Sequence, residues 1–196
     1  MFLSPIIISR KSQVKMFELS EILEGSPNCT VKPKHESRGK YYHGLENNFL
    51  MLPNQKTLVG ESESDSLEIE DMISKEAPVI IDEKLPLTMI FNRKINSLLA
   101  GYSNACVSQF ERDSSGVMKK QKKYGDVGVG WVYASDCSGD IAAVGGDNGM
   151  ISLINMKKKE VIQKGIRTCF EEVFSCLLYT SPSPRDLSTS RMPSSA

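Results

Sequence analysis

Between residues 47 and 164, apolar residues come in short bursts that alternate with polar ones, the pattern of strands buried on one or both faces. Leu67 and Ile69, Val107 and Gln109, and Ile151 and Leu153 would share one face of such strands. Ser66, Glu68 and Glu70 in the first case, and Met150, Ser152 and Ile154 in the last, would share the other. The bursts themselves recur. The blocks LVGESESDSLEIED, LLAGYSNACVSQFE and AAVGGDNGMISLIN align without a gap, starting at positions 58, 98 and 142, 40 and then 44 residues apart. A fixed period of that length marks stacked supersecondary units.

Each unit repeats one order of parts. Leading strands are predicted at Phe49-Leu50-Met51-Leu52, Thr88-Met89-Ile90-Phe91 and Trp131-Val132-Tyr133-Ala134, followed by polar turns at residues 53–56, 92–94 and 136–139. A hairpin follows. In the third unit Asn148-Gly149 predicts a type I′ turn, which needs positive φ at both residues; Ser103-Asn104-Ala105 and Ser64-Asp65-Ser66 hold the same place in the others. Polar connections over residues 72–77, 112–123 and 157–160 lead to a last apolar strand such as residues 78–81 or Val161-Ile162. The fold class expected is all-β, with about three four-stranded antiparallel units near residues 47–81, 87–124 and 129–164. Glu68 and Glu70 leave the first unit one wet face, so it is expected to be an edge unit or a diverged repeat. Residues 1–46, broken by Gly25, Pro27, Pro33, Gly39 and Gly44, predict a largely disordered polar arm with a short helix around residues 17–23.

Four short antiparallel strands per 40 to 44 residues is the unit of a β-propeller blade. GGDNGMISLIN at residues 145–155 and AGYSNACVSQFE at residues 100–111 resemble the strand-turn-strand core of the WD-repeat propeller family, over about residues 47–164. The family's naming dipeptide is replaced by Glu70-Asp71, Phe110-Glu111 and Ile154-Asn155. No Gly-His pair precedes a unit, since His35 and His43 both come before the repeats. Kelch-type units are longer, and a seven-stranded sandwich would not reuse its turn positions. The resemblance implies a partial β-propeller acting as a non-enzymatic scaffold, with protein partners held at rim and loops. The alternative is a propeller enzyme, or a longer enzyme whose catalytic region follows these residues.

The C-terminal end changes how much of the chain bears on the fold. CLLYTSPSPRD at residues 176–186 and the closing SRMPSSA back-translate to codons resembling the two ends of a transposase-type sequencing adapter, with residues 187–189 over its index. Residues 176–196 are therefore expected to be a non-native, disordered tail, and residues 47–175 the front part of a longer protein. Since propellers close on about 4 to 8 blades, the last hairpin is expected to show a bare apolar face, and the isolated chain to be adhesive. Residues 166–174 would open a fourth unit. MFLSPIIIS is too short for a signal core or membrane span, and Met16 is an equally acceptable start.

Composition removes several function classes. The 24 basic and 24 acidic residues balance, which gives no electrostatic reason for nucleic acid or a charged membrane as the default partner. Cys29, Cys106, Cys137 and Cys169 form neither a CxxC pair nor a disulfide framework, and Cys106 reads as a small buried hydrophobe in a reducing, cytoplasmic setting. Asn28-Cys29-Thr30 fits a glycosylation triplet, which matters only in a secreted protein. No Ser/His/Asp or Cys/His grouping occurs in the repeats, so no catalytic, metal or cofactor-binding residue is expected. Candidate partner residues are Trp131 and Tyr133, which alternate along one strand and read either as core or as a rim contact. The basic run Lys119, Lys120, Lys122 and Lys123, with Lys157-Lys158-Lys159, falls in the expected connections. Ser62, Ser64 and Ser66 lie beside carboxylates and are possible phosphate acceptors. Residues 125–130 resemble a phosphate loop superficially but lack the lysine and following helix.

Overall fold

The computed structural model describes residues 6–10, 13–17, 20, 23, 32–37, 49–54, 56–62, 66–73, 76–84, 86–112, 117–168 and 171–178. They form an all-β protein of antiparallel sheets. Sheet N contains β1 (Ile6–Arg10), β2 (Gln13–Phe17) and β3 (His35–Glu36), in that order. Sheet I contains β4 (Phe49–Met51), β5 (Thr57–Glu61), β6 (Leu67–Asp71) and β7 (Val79–Asp82). Sheet II contains β8 (Pro86–Asn92), β9 (Ser97–Tyr102), β10 (Cys106–Arg112) and β11 (Met118–Asp126). Sheet III contains β12 (Val132–Ser138), β13 (Ile141–Gly146), β14 (Met150–Asn155) and β15 (Glu160–Arg167). In each of sheets I to III the hydrogen-bonded order follows the chain, so every one is a four-stranded meander.

Sheet N places three strands within the arm expected to be largely disordered, the rest of which lies outside the described residues apart from a few positions. The β-branched run Ile6-Ile7-Ile8 pairs in register with residues 15–17, and Lys15 and Met16 pair in turn with Glu36 and His35. Phe17 closes β2, and most of the helix expected around it lies outside the described residues. The run is too short to cross a membrane, yet long enough for a strand whose Met16 is buried against Leu58 and Met72 of sheet I. That contact also corrects the wet face expected for the first unit: Leu58 is fully buried, and so is Glu70 beside it. An alternating Glu pattern was read as exposure, but the cover came from residues before the repeat.

Sheets I to III bury both faces. Leu58 turns toward sheet N while Val59 turns toward sheet II; Leu98 packs with sheet I while Leu99 packs with sheet III. All four are at most 1% exposed, and each such side chain contributes about 1.5–3 kcal/mol of apolar burial. Successive residues of a strand point to opposite faces, so an unbroken apolar run such as Leu98-Leu99-Ala100 marks a strand covered on both sides. Two glycines let the covers come close. A Cβ on Gly101 would lie 2.5 Å from Val132 Cγ1, and one on Gly145 would lie 2.5 Å from Val173 Cγ1. Gly101 and Gly145 occupy the same position in the aligned blocks. The face of sheet III beyond sheet II is therefore not bare, because residues 171–178 lie against it and bury Ala143 and Val173. These include Cys176, Leu177 and Leu178, which were set aside as tail; residues 179–196 lie outside the described ones.

The turns carry three further corrections. Residues 136–138 complete β12, so the turn falls at Gly139 and Asp140, and residues 118–123 belong to β11 rather than to a connection. The Asn148-Gly149 turn is not type I′, since only Gly149 has positive φ (67°). Gly149 N instead donates to Gly146 O at 3.4 Å, and Asn148 Oδ1 accepts Met150 N at 3.1 Å. The loop is thus a longer one, built on an ordinary turn with a left-handed residue at its end. In sheet II the matching residue is Ala105, held at φ 57°.

Two predictions follow from this packing. Leu98→Ala and Leu99→Ala should each lower the unfolding free energy by about 2–5 kcal/mol in denaturant titrations, whereas a sheet covered on one side would tolerate one of them. Ala105→Gly should raise it by about 0.5–1 kcal/mol, because a left-handed L-residue costs about 1–2 kcal/mol and glycine's added chain entropy returns only part of that.

Candidate functional site

The loop over residues 146–149 gathers several backbone segments. Asp147 Oδ1 accepts Trp131 N at 2.9 Å and Asp147 N donates to Trp131 O at 3.3 Å, which pins the residue before β12 to the β13–β14 turn. Gly149 O accepts Thr168 N at 3.0 Å and Thr168 Oγ1 at 2.7 Å, and Gly146 O accepts Val173 N at 2.9 Å. Gly146 must be glycine here: a Cβ would stand 2.0 Å from Trp131 O. The incoming segment over residues 125–130 is a structural device and holds no phosphate-loop geometry. Val127 and Val129 are fully buried, while Gly128 and Gly130 between and after them take positive φ.

On this loop's flank stands an aromatic row. The ring of Trp131 meets that of Tyr133 edge-on at 6.2 Å, and Tyr133 stacks at a tilt on Phe174 at 5.5 Å. Val132 points into the joint with sheet II, but a register shift after it makes Tyr133 a bulge residue, so Ala134 pairs with Gly145 on the outer face, where Val173 lies and where the Tyr133 ring meets Phe174. Trp131 is 49% exposed and Phe174 is 62% exposed. The tryptophan is not core: it stands just before β12, and Val132 after it fills the joint with sheet II. An exposed row of rings beside a rigid turn can hold an apolar or aromatic group of a partner with little loss of side-chain freedom.

The basic run lies elsewhere. Lys119, Lys120, Lys122 and Lys123 are on β11, the far edge of sheet II, whereas β12 packs beside β8 at the near edge. Three strand spacings, about 14 Å, separate the two edges, so the lysines and the aromatic row form two surfaces. Lys120 is structural. Its Nζ lies 2.6 Å from Asp82 Oδ2, which also accepts Tyr102 Oη at 2.7 Å, and 5.7 Å from the centre of the Phe110 ring. Asp82 is 8% exposed, and the two donors from sheet II compensate its buried charge across the joint with sheet I.

A second buried polar group joins sheets II and III. Gln109 is fully buried; its Nε2 donates to Met156 O at 2.9 Å and Glu111 Oε1 at 3.0 Å, and its Oε1 accepts the Tyr124 hydroxyl. Lys159 reaches Glu111 Oε2 at 3.0 Å from the β14–β15 turn. Asn92 adds a bond from its Nδ2 to Gly139 O at 2.9 Å. Burial and, secondarily, the Glu111 charge push the Tyr124 phenol up to about 12; burial, then the hydrogen bond to Asp82, raise Tyr102 further. Neither clamp was legible as a site, because Gln109 stands where the repeat elsewhere carries Ile69 and Leu153, and nothing local marks Asp82 as buried.

Other sequence candidates fall away or shift. Ser62 and Ser66 are buried and their hydroxyls lie 2.8 Å apart, so neither is open to phosphorylation; Ser64 lies outside the described residues. Cys106 is half-buried rather than core. Burial, then the Asp136 charge, hold the Cys137 and Cys176 thiols above their ordinary range, which keeps both weakly reactive at neutral pH. Among the described residues no cluster of three or more metal-ligating side chains occurs, and no helix is long and apolar enough to cross a membrane. No protein-family model and no curated protein matches this chain.

The tyrosine clamps set a pH dependence. The folded protein favours the neutral phenols, so their stabilisation is complete below pH 10, where the unfolded chain is also protonated. It is lost as pH rises from 10 through about 12 for Tyr124 and beyond for Tyr102. In a titration followed by phenolate absorbance, Tyr102→Phe and Tyr124→Phe should each remove a late-ionising step, while urea should move both steps back toward 10.

Proposed function

We propose that residues 47–164 are successive blades of a WD-repeat-like β-propeller, and that the protein is a non-enzymatic scaffold binding protein partners at its rim. The observation that carries the reading is the repeated joint, in which Val132 sits over Gly101 and Val173 sits over Gly145. One joint made twice at the same position of the repeat is what radial stacking requires. The leading strands β4, β8 and β12 lie side by side along one border of the stack, and the last strands β7 and β11 along the other. That is how blades of a propeller place their inner and outer strands. The family's buried polar residues are replaced in this reading by the Gln109 and Asp82 clamps.

The partner surface of this scaffold is the row Trp131, Tyr133 and Phe174. Trp131 and Phe174 are exposed, Tyr133 between them is half-buried, and the Asp147 turn fixes Trp131 at the backbone, so a partner gains contact area at small entropic cost. The test is affinity capture from cell extract with the full chain and with the Trp131→Ala/Tyr133→Ala variant. The variant should lose no more than about 1.5 kcal/mol of stability and should fail to retain proteins held by the parent. Identical retained sets, or none with either chain, would overturn the scaffold reading.

A further inference from the structure

Of the three outermost strands, β11 is the longest at nine residues, and it ends the hydrogen-bonded order of sheet II. Its outer edge faces no fifth strand among the described residues. An edge of that length invites pairing with any exposed strand unless side chains select against it. Here selection is by charge. Lys119, Lys120, Gln121, Lys122 and Lys123 all stand exposed, and Lys122 and Lys123 make no ion pair with a described residue. Phe110 pairs with Lys120 and Gln109 with Lys122, so Gln121 is an extra residue that bulges the strand. A second shift falls between Lys123 and Asp126, so the bulges frame Lys122 and Lys123 as a short regular stretch of edge backbone.

The edge therefore combines backbone hydrogen-bonding groups with unneutralised positive charge. A second copy of β11 would set lysines against lysines, which is repulsive. A nucleic acid would find no exposed ring on β11, since Tyr124 is engaged by Gln109. An extended strand with acidic residues on both faces satisfies both features, because Lys122 and Lys123 point to opposite faces. We propose that the β11 edge takes up an extended acidic peptide of a partner protein as a fifth strand of sheet II. Lys122 and Lys123, which point to opposite faces of the sheet, each pair with a carboxylate on their own face. Strand addition draws its affinity from main-chain bonds and its specificity from alternate side chains. This surface is separate from the aromatic row and needs no closed ring.

The test uses the full chain and a fluorescein-labelled peptide in which pairs of adjacent glutamates alternate with pairs of valines, about ten residues long to match the strand. Anisotropy should report saturable binding that weakens at least about tenfold with Lys122→Glu/Lys123→Glu, and less with Lys122→Gln/Lys123→Gln; a tenfold change is about 1.4 kcal/mol. Melting temperatures of both variants should match the parent. Hydrogen exchange of the β11 amides should slow on binding, and a backbone N-methylated peptide should not bind. Four results would each sink the idea: unchanged affinity in the charge-reversed variant, unchanged β11 exchange, equal binding of the N-methylated peptide, or tighter binding of a single-stranded oligonucleotide. Self-association of the chain through β11 would also refute it. Trp131→Ala/Tyr133→Ala should bind the peptide normally, so the scaffold reading and this one can fail separately.

Discussion

A sheet that is apolar on both faces has to be covered on both faces, and this requirement governs the molecule. Sheet II carries Leu98 on one side and Leu99 on the other, each removed from water by a different neighbour. Neither face can be left open without exposing several kilocalories' worth of aliphatic surface, so sheets I and III are obligatory partners rather than optional neighbours. The same demand passes outward. Sheet I turns Leu58 toward sheet N, and sheet III turns Ala143 and Gly145 toward residues 171–178. Close approach is possible because glycine stands at the point of contact, where a single methyl group would collide with a valine.

Apolar cover alone would let the sheets slide or rotate against one another, since dispersion and burial are weakly directional. The polar clamps remove that freedom. Asp82 accepts from Tyr102 and Lys120 across one joint; Gln109 and Asn92 reach backbone oxygens across the next. Each clamp is buried, so leaving one side unmade costs more than making it gains, and misregistered packing is penalised at specific residues. Thr88 and Ser135 add a bond of 2.9 Å between the leading strands β8 and β12, and Lys94 meets Asp140 at 3.0 Å outside the turn. Polar groups thus select one arrangement among those that apolar burial would accept.

The parts of this fold legible in sequence were those with local causes. Alternation of apolar residues located most strands of sheets I to III, and asparagines at Asn54, Asn92 and Asn148 marked turns, where each side chain accepts a nearby backbone N–H. What sequence could not give was set by distant contacts. Glu70 looked solvated because its cover, sheet N, belongs to no repeat. Lysines 119 to 123 looked like a connection because an edge strand needs apolar side chains on one side only, and here Phe110 on the neighbouring strand supplies the apolar contact. Trp131 was ambiguous for a similar reason: Val132 is buried against sheet II, and the bulge at Tyr133 breaks the alternation from which an inward set would be read. Ala105 was the informative conflict, a residue ill-suited to its place that nonetheless takes the backbone shape its repeat partner Gly149 takes.

The edges differ in a way that bears on association. On β7, Val79 and Ile80 are exposed without a flanking charge on the strand, but the strand has only four residues, and Asp82 at its end is already bound to Lys120 of sheet II. Shortness limits what can pair there. On β11 length favours pairing, and charge together with the bulge at Gln121 restricts it. Drawing Lys120 inward to Asp82 while leaving Lys122 and Lys123 in water divides one basic run into two jobs. The first lysine fastens sheet II to sheet I. The other two keep the adjoining edge closed to neutral and basic strands, because any strand added there must bring negative charge to offset theirs.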